Sequence, residues 1–568
     1  MTVDTHVAKV AQKGGRVKIY FKADDVPPIS VAILFGVQQL MVCVSGLVVI
    51  PYILSEKICA GSHKASIRVQ LISTTLLVSG ISTLLQNTFG VRLALLQGPS
   101  FAFLPPLLAF TSLPEFQCHS DISEMTSEED GYLIRLRKIQ GGLLAASAVQ
   151  IVIGFTGLIG IITKFIGPLT IAPLMLLLAL SAVPVCLKHV ATHWVSLLLA
   201  AALVACAIYL AKVKVPLPLL RNGRLRLTRV PIFTLFPYLI AIGSCWLFCL
   251  ILTLTNTVPP DSAARTDKNE TMLVLRDAPW LRLPYPGQWG PLDFHTGIFL
   301  GFVAATLSSV IESVGDYHAC ARVSDERVPP PHAVNRGILI EGICCLIAAL
   351  FGSGVGVTTY SENIGVIGIT KVASRVTLQI CGIILVGLGV FTKFGAILAT
   401  IPEPLVGGIL SVSLAMVGGV GLSSVQFVNL NLSRNVAILG LAIMSGMAVP
   451  LYFEQYPLNT GMAELDQVLN ILLTIRMFVG GFVGFLLDNT VPGASREQRG
   501  LQPHNTNEKS RFDDGADHDC YSFPPLVNRI LARIPLVRLL LFLPELKKKV
   551  AGTTGPHKLI IPIDTANL

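Results

Sequence analysis

Residues 352–371 read GSGVGVTTYSENIGVIGITK, and this stretch interrupts a region that is otherwise apolar enough to cross a bilayer. Its first half is rich in glycine and threonine, and its second half starts with the acid Glu362. Non-helical backbone survives at membrane depth only where surrounding protein or a water-filled cavity satisfies it. A carboxylate at that depth is also costly, so we expect Glu362 to face a cavity and to serve a function.

A second interruption lies in the third predicted membrane crossing, where residues 96–103 read LQGPSFAF. Proline and glycine break helices, so both stretches predict interrupted membrane segments. The third and tenth crossings are seven apart, which is the spacing of two inverted seven-segment repeats whose broken elements meet near the midplane. At this break Ser100 can cap a half-helix, and Phe101 either stacks on a flat ligand ring or only packs.

The composition is that of a membrane protein. Of the 568 residues, 52% are hydrophobic and 14% are charged, whereas soluble domains carry about 25% charged residues. Apolar stretches long enough to span the hydrocarbon core recur at Val31–Ile53, Gly142–Ile162, Trp194–Ala211, Ile232–Leu254 and Val436–Leu451. We predict an all-α polytopic membrane protein with fourteen transmembrane segments that start near residues 31, 66, 93, 140, 168, 193, 232, 296, 336, 358, 376, 404, 434 and 464.

The charges of the predicted loops indicate the orientation. The loop 212–229 is basic and contains no acid, whereas the loop 115–130 is rich in Asp and Glu. Basic loops stay in the cytoplasm, so both termini are predicted to be cytoplasmic and the loop 255–295 to be extracellular. That loop carries the sequon Asn269-Glu270-Thr271, so glycosylation of Asn269 is expected. Because topology explains the basic loop, we expect no nucleic-acid partner.

The terminal segments and the cysteines carry weaker signals. Residues 1–29 contain no apolar h-region, so the first crossing is expected to serve as the targeting signal. The tail from Pro492 is polar and is predicted to be cytoplasmic and partly disordered. The twelve cysteines have no metal-ligand spacing. Cys59 and Cys118 both fall in predicted outside loops, where a disulfide and two free thiols are both compatible with the sequence.

Two acids of the eighth predicted crossing, Glu312 and Asp316, are four residues apart and share one helix face. On a buried face they repel each other unless a cation, a donor or a proton separates them. Alternatively both lie in water near the cytoplasmic end, which suits Asp316 better than Glu312. For Glu362 the alternative is a helix-capping acid, although Ser361 already offers a cap.

Gln38 and Gln39 are adjacent amides in the first crossing. One can face a cavity while the other bonds between helices, and a ligand contact and a structural contact are equally compatible with the pattern. The sequence contains no phosphate-binding loop, nucleophile–base pair or metal triad, so no enzymatic activity and no cofactor are predicted.

Several stretches resemble the nucleobase–ascorbate transporter family (solute carrier family 23; nucleobase:cation symporter-2), namely Gln97–Phe103, Glu312–Tyr317, Asn335–Gly337, Glu362–Lys371 and Asp488–Gly493. The family signature consists of an acid, amide or proline, then Asn, any residue, Gly, four residues, Thr and a basic residue. Glu362, Asn363, Gly365, Thr370 and Lys371 match it. The resemblance covers about residues 30 to 500 and is closest to the vertebrate sodium-coupled branch.

The resemblance implies two inverted seven-segment repeats, with short strands in segments 3 and 10, and a core domain that slides against a gate domain. It divides the chain into a cytoplasmic N-terminal tail 1–30, core parts 31–166 (segments 1–4) and 296–400 (segments 8–11), gate parts 167–255 (segments 5–7) and 401–488 (segments 12–14), an extracellular loop 256–295 and a cytoplasmic C-terminal tail 489–568. A homodimer in the plasma membrane is also implied.

By resemblance, the substrate lies between the strands and half-helices of segments 3 and 10. Glu312 and Glu362 are similar to the carboxylates that grip a nucleobase in the bacterial uracil permease, and Phe101 to its stacking aromatic. Asp316 replaces a histidine of that proton-coupled protein, which implies Na⁺ as the coupling ion near Asp316 with help from hydroxyls such as that of Thr358. The remaining expected substrate contacts are Ser100, Ser361, Tyr360 and Gln39.

The chain departs from the vitamin C transporters at residue 362, where they have Pro, and at Gln38-Gln39, where they have Gln-His. A neutral nucleobase offers ring N–H donors to carboxylates, whereas ascorbate is an anion. A second buried carboxylate about 4 Å from an anion costs roughly 4 kcal/mol at an effective dielectric near 20.

The sequence therefore predicts a Na⁺-coupled nucleobase symporter for uracil- or xanthine-like substrates. The alternatives are a Na⁺–ascorbate symporter on the same fold, an anion channel or exchanger, and a membrane receptor that transports nothing.

Overall fold

A computed structural model describes residues 19–116, 128–159, 165–221, 224–501 and 520–523. The first eighteen residues and most of the C-terminal tail lie outside the described residues. The same holds for Cys118 and for the middle of the acidic loop 115–130. The predictions made for these residues stay predictions.

The described chain is mostly helical. Its helices, numbered in chain order, are α1 Ile29–Lys57, α2 Lys64–Thr88, α3 Leu104–Thr111, α4 Glu128–Thr156, α5 Pro168–Ser181, α6 Val183–Val190, α7 Val195–Val204, α8 Ile232–Leu235, α9 Pro237–Leu254, α10 Asn269–Asp277, α11 Thr296–Val323, α12 Pro331–Phe351, α13 Ser361–Thr370, α14 Arg375–Val390, α15 Thr392–Ala399, α16 Glu403–Ser423, α17 Ser433–Gln455, α18 Ala463–Thr474 and α19 Arg476–Thr490. The strands are β1 Gln97–Pro99, β2 Val215–Arg221, β3 Arg224–Val230 and β4 Val357–Thr359.

Nine helices in the described ranges are long and apolar enough to cross a membrane, or ten if the pair α14 and α15, bent by 82°, counts as one span. They include α1, α2, α11 and α12, which the recurring apolar stretches and predicted starts had indicated. The protein is therefore a multi-pass α-helical membrane protein. The count of fourteen segments stays a prediction, because several predicted crossings correspond to shorter or broken helices.

Small residues let the long helices approach closely. α2 packs along α14, where a Cβ placed on Gly80 would lie 2.6 Å from the backbone oxygen of Gly382. α4 packs along α12 in the same way, since a Cβ on Gly342 would lie 2.8 Å from the Ile151 nitrogen. Close backbone approach is a main source of helix association in lipid, where the hydrophobic effect no longer drives it.

The two predicted interruptions meet as a pair of short strands. β1 and β4 are antiparallel, with Gln97 opposite Thr359 and Pro99 opposite Val357. Backbone bonds from Ser100 N to Gly356 O (2.9 Å) and from Tyr360 N to Leu96 O (3.0 Å) extend the pairing. The broken segments thus satisfy each other's backbone groups, as non-helical backbone in an apolar interior must.

The basic loop 212–229 forms a hairpin, which the sequence analysis did not anticipate. β2 and β3 pair antiparallel from Val215 opposite Val230 to Arg221 opposite Arg224. The signal was present, because residues 224–228 alternate basic or polar with apolar side chains and Asn222-Gly223 is a favoured hairpin dipeptide.

Part of the C-terminal tail packs against the helices, and the partial disorder predicted for this tail stays a prediction. Arg499 pairs with the buried Asp488 at 2.9 Å. The tail residue Tyr521 is fully buried, and its backbone oxygen accepts a 2.8 Å bond from Arg336 Nη2. These long-range contacts are invisible to composition, which reports only the polarity of the segment.

Two residues that the sequence analysis singled out in the predicted outside loops lie in the described ranges. Asn269 is exposed at the start of α10, so its glycosylation stays a prediction at an accessible position. Cys59 is disulfide-bonded, and because Cys118 lies outside the described residues, their pairing also stays a prediction.

Candidate functional site

α11 carries both acids of the eighth predicted crossing into the interior. Glu312 is 7% exposed and Asp316 is 3% exposed, one helical turn apart on the same face. Both line a cavity of about 1010 Å³. The interpretation that both acids lie in bulk water at a helix end is therefore wrong, because each is enclosed by protein on the cavity wall.

A small recess of about 20 Å³ adjoins the strand ends and shares wall residues with the large cavity. The residues common to both are Glu312, Ser361 and Glu362. Phe101 and Thr358 line the recess only. The two breaks in the sequence therefore converge with the two carboxylates at one place, as the resemblance implied.

Glu362 lies in the first turn of α13 and is 9% exposed. Its Oε1 has no hydrogen-bond partner among the described residues. The positive end of the helix dipole partly compensates a carboxylate at this position. Oε1 can therefore accept from a donor that the described protein does not supply.

Ser361 does not cap α13 with its side chain, contrary to the sequence interpretation. Its hydroxyl donates instead to the Asp316 carboxylate, at 2.9 Å from both oxygens. Thr358, the second expected Na⁺ ligand, accepts a 2.9 Å bond from Ser309 and lies 3.1 Å from the Ser313 hydroxyl. The two expected Na⁺ ligands therefore have different hydroxyl partners: Asp316 is bonded to Ser361, and Thr358 contacts Ser309 and Ser313.

Two expected substrate contacts make structural hydrogen bonds. The Ser100 hydroxyl accepts from Ala102 N at 3.2 Å and caps the turn Phe101–Phe103, as its position at the break predicted. The Tyr360 hydroxyl donates to Pro99 O at 3.1 Å and ties β4 to β1. Tyr360 also lines the recess, whereas Ser100 is fully buried.

The adjacent amides of α1 separate into different environments. Gln39 Oε1 accepts a 2.8 Å bond from Asn363 Nδ2, and Asn363 Oδ1 accepts from Leu96 N at 3.2 Å. Gln39 therefore links α1 to both broken segments. Gln38, its neighbour, lines the large cavity.

Other signature residues shape the half-helix α13. Gly365 lines the cavity, and a Cβ at this position would meet no atom within 4 Å. Thr370 donates to Val366 O at 2.9 Å. Lys371 ends the helix in the left-handed region, with φ 59°, and its carbonyl accepts from Tyr20 N at 2.9 Å. At least Thr370 and Lys371 of the signature therefore have structural roles at the end of α13.

Glu341 is a buried carboxylate that the sequence analysis missed. It lies on α12 with no exposed surface and accepts from Ser313 (2.9 Å to each oxygen), Tyr317 (3.2 Å), Gln150 (3.2 Å) and Thr359 (3.4 Å). It joins α4, α11 and α12 to the strand β4 behind the site. An acid in the middle of an apolar helix was the available signal, by the same criterion that singled out Glu312.

Comparisons with known proteins identify the family of this chain. A model described as "Permease family" matches residues 30–455. Human "Solute carrier family 23 member 2" is 41% identical over 501 residues, which cover 86% of this chain and 76% of that protein. Mouse "Solute carrier family 23 member 1" is 41% identical over 519 residues, covering 89% and 85%. "Nucleobase-ascorbate transporter 7" of Arabidopsis thaliana is 32% identical over 494 residues, covering 84% and 87%.

Solved structures give weaker matches. The transmembrane domain of the cyanobacterial bicarbonate transporter BicA aligns at a TM-score of 0.42 with 13% identity, covering 83% of this chain and 100% of that one. Murine Solute Carrier 26 family member A9, an anion transporter, aligns at 0.43 with 11% identity, covering 86% and 74%. The sequence relatives carry the assignment: the chain belongs to the permease family of the solute carrier family 23 proteins and is a multi-pass membrane transporter.

Proposed function

We propose that the protein is a Na⁺-coupled symporter that carries uracil- or xanthine-like nucleobases across the plasma membrane. The main support is Glu362, whose unpartnered Oε1 lies at the cavity wall that Glu312 also lines. A neutral ring with N–H donors would form charge-assisted hydrogen bonds with these carboxylates. Phe101 at the recess is an apolar surface for the ring face.

Ascorbate is the second candidate substrate, because the plant relatives are named nucleobase-ascorbate transporters. Its negative charge would meet the carboxylates of Glu312 and Glu362 on one cavity wall. At about 4 Å and an effective dielectric near 20, each such repulsion costs roughly 4 kcal/mol. We therefore propose nucleobases ahead of ascorbate.

For the coupling ion we propose Na⁺ at Asp316. Na⁺ is a hard cation that prefers oxygen ligands, and the Asp316 carboxylate with the Ser361 hydroxyl offers a compact group of oxygens. Ser361 also borders the substrate cavity, so ion and substrate would share one wall. Asp316 would then bind the ion while Glu312 and Glu362 bind the ring.

We further propose that segments 1–4 and 8–11 form a core that moves, elevator-like, against a gate of segments 5–7 and 12–14. In an inverted repeat, α2 would correspond to α12, and α14 would correspond to α4. The pair α2–α14 would therefore be equivalent to the pair α12–α4, and both pairs pack tightly. The repeat would also relate the partners β1 and β4. The cavity supports this division, because α11 and α13 carry its acids while α5 and α16 supply apolar residues such as Met175 and Met416.

We propose that both termini lie in the cytoplasm and that two chains form the family's dimer. Residues Pro329, Arg496 and Leu501 border the large cavity. They belong to connections that the predicted topology assigns to the inner side. The conformation described would accordingly be inward-facing.

The test is uptake in cells that lack endogenous nucleobase transport. Radiolabelled uracil, xanthine and ascorbate are compared in Na⁺ and in choline medium. The proposal predicts concentrative, Na⁺-dependent uptake of uracil or xanthine without ascorbate uptake. Ascorbate uptake alone would contradict the substrate assignment, and flux independent of Na⁺ would contradict the coupling. Normal surface expression without any flux would favour a receptor instead.

A further inference from the structure

One amide on the cavity wall makes no hydrogen bond within the described part of the protein. Gln38 lies on α1, is 1% exposed and lines the large cavity. Neither its Nε2 nor its Oε1 has a partner among the described residues. Among the described residues that line this cavity, only Gln38 and Glu362 carry buried side-chain atoms without partners.

The neighbouring amide provides a direct contrast. Gln39 is also buried, at 3% exposed, but its Oε1 accepts from Asn363. Asn363 in turn holds the backbone of Leu96. Two amides with the same chemistry and adjacent positions thus differ, because Gln39 secures the broken segments and Gln38 keeps its hydrogen-bonding capacity at the cavity.

A buried amide without partners is unfavourable, and native proteins rarely keep one without a reason. A glutamine side chain presents a carbonyl acceptor and an N–H₂ donor side by side in one plane. Its complement is a ligand edge that presents a donor next to an acceptor. In the uracil- or xanthine-like bases proposed above, that edge is the lactam N–H next to a C=O. Ascorbate has no N–H and cannot supply that edge.

We infer that Gln38 is a specificity residue that pairs with the lactam edge of the transported ring, while the free Oε1 of Glu362 accepts from a second ring N–H. This inference rests on the proposed transport of uracil- or xanthine-like nucleobases and assigns the residue that recognises their lactam edge. The Gln38 amide and Glu362 Oε1 would then bind one planar ring at two of its edges.

The experiment measures competition against radiolabelled uracil or xanthine uptake by matched pairs of bases. Uracil is compared with pyrimidine, which has no oxo group and no ring N–H, and hypoxanthine with purine, which lacks the 6-oxo group and the N1–H beside it. Since one hydrogen bond is worth about tenfold in affinity, the wild type should prefer the oxo member of each pair by about tenfold or more. Gln38→Leu should raise KM for the oxo base about tenfold, keep kcat and abolish most of the preference.

Gln39→Leu is the matched control. It should lower the thermal stability or surface level of the protein, since it breaks the bond to Asn363, while the surviving transporters keep the oxo preference. Gln38→Asn retains an amide on a shorter side chain and should give an intermediate preference. It also replaces Gln38→Leu as the test if the leucine variant does not reach the surface.

Wild-type nucleobase uptake combined with an unchanged KM and preference in Gln38→Leu and Gln38→Asn would overturn this inference alone. If the wild type transported ascorbate and no nucleobase, the proposed function would fail and the inference with it. A preference that disappears in the Gln38 variants and survives in Gln39→Leu supports both.

Discussion

At the scale of single residues, the site combines an acid that can still accept a hydrogen bond with a hydroxyl that is already hydrogen-bonded within the protein. Glu362 retains an unpartnered oxygen, whereas the Ser361 hydroxyl is held by Asp316. An available acceptor in a low-dielectric cavity can bind a donor strongly, because an unsatisfied group gains more from a partner than a satisfied one. The neighbouring residues of one helix turn therefore have separate roles.

Glu362→Gln keeps the shape of the side chain but removes the charge. We expect nucleobase uptake to fall at least tenfold, since a charge-assisted bond is about twice as strong as a neutral one. Glu362→Pro should lower it further. Uptake is measured at equal surface expression, with Asp261→Asn as the control, because Asp261 is exposed in the loop 255–295. Unchanged uracil uptake in either Glu362 variant would remove this residue from the site.

Asp316→Asn should weaken Na⁺ coupling more than substrate recognition. We expect the Na⁺ concentration for half-maximal uptake to rise about tenfold or more, because a neutral amide attracts a cation less than a carboxylate. The measurement is uptake against Na⁺ concentration at fixed substrate. Ser361→Ala, which removes only the hydroxyl on Asp316, should give a smaller shift. A Na⁺ dependence identical to that of the wild type would exclude Asp316 as the ion ligand.

At the scale of elements, the broken segments are held from two sides. β1 and β4 satisfy each other's backbone, and Glu341 fixes the back of β4 through Thr359. The half-helix α13 starts directly after β4, so the position of Glu362 depends on this anchoring. Rigid support of this kind is what keeps a binding site in its productive geometry.

Glu341→Ala should destabilise the fold by about 3 kcal/mol or more, because it leaves several buried donors without an acceptor. Glu341→Gln should be milder, since it preserves part of the network. Thermal unfolding of the detergent-solubilised protein checks whether Glu341→Ala lowers the melting temperature more than Glu341→Gln. A melting temperature of Glu341→Ala equal to that of the wild type would mean that the network does not stabilise the strand.

Gly98→Ala should also destabilise the strand pair. A Cβ at Gly98 would overlap the ring of Tyr360, which its hydroxyl bond to Pro99 holds in place. Overpacking of this kind costs about 1–3 kcal/mol. Gly440→Ala on α17 is the matched control, because a Cβ there meets no atom within 4 Å. Equal thermal stability of the two variants would contradict the close packing of β1 against Tyr360.

At the scale of the whole molecule, a polar cluster connects helices of the proposed core and gate. Glu56 of α1 lies 4.0 Å from His189 of α6, and His189 Nδ1 lies 3.0 Å from Glu403 of α16. His189 is 1% exposed. If the core slides against the gate, these contacts must separate and re-form in each transport cycle.

Cysteines at positions 56 and 403, cross-linked by a short bis-methanethiosulfonate that forms a disulfide with each thiol, should therefore stop uptake, and reduction of these disulfides should restore it. The control pair at positions 56 and 64 replaces the Glu56–Lys64 ion pair (3.1 Å) within the proposed core. Cross-linking that pair should leave uptake largely intact. Full uptake with an efficient 56–403 cross-link would contradict relative movement of the two groups of helices.

Local pattern determined much of this protein from sequence alone. Runs of apolar residues identified the membrane helices, since spanning a bilayer needs about 20 of them. The breaks at 96–103 and 352–362, and the acids Glu312 and Glu362, stood out because such residues are unfavourable in an apolar helix. The resemblance then related these residues to a transporter family, which the sequence relatives confirm.

Only the tertiary structure decided which partner each polar group meets. Gln38 and Gln39 are equivalent in sequence, and their different environments arise because Asn363 approaches one of them from 324 positions away. The role of Glu341 and the bond from Ser361 to Asp316 likewise depend on contacts between elements that are separated along the chain. Periodicity and composition describe the neighbours along the chain, whereas hydrogen bonds in a membrane interior are made with neighbours in space.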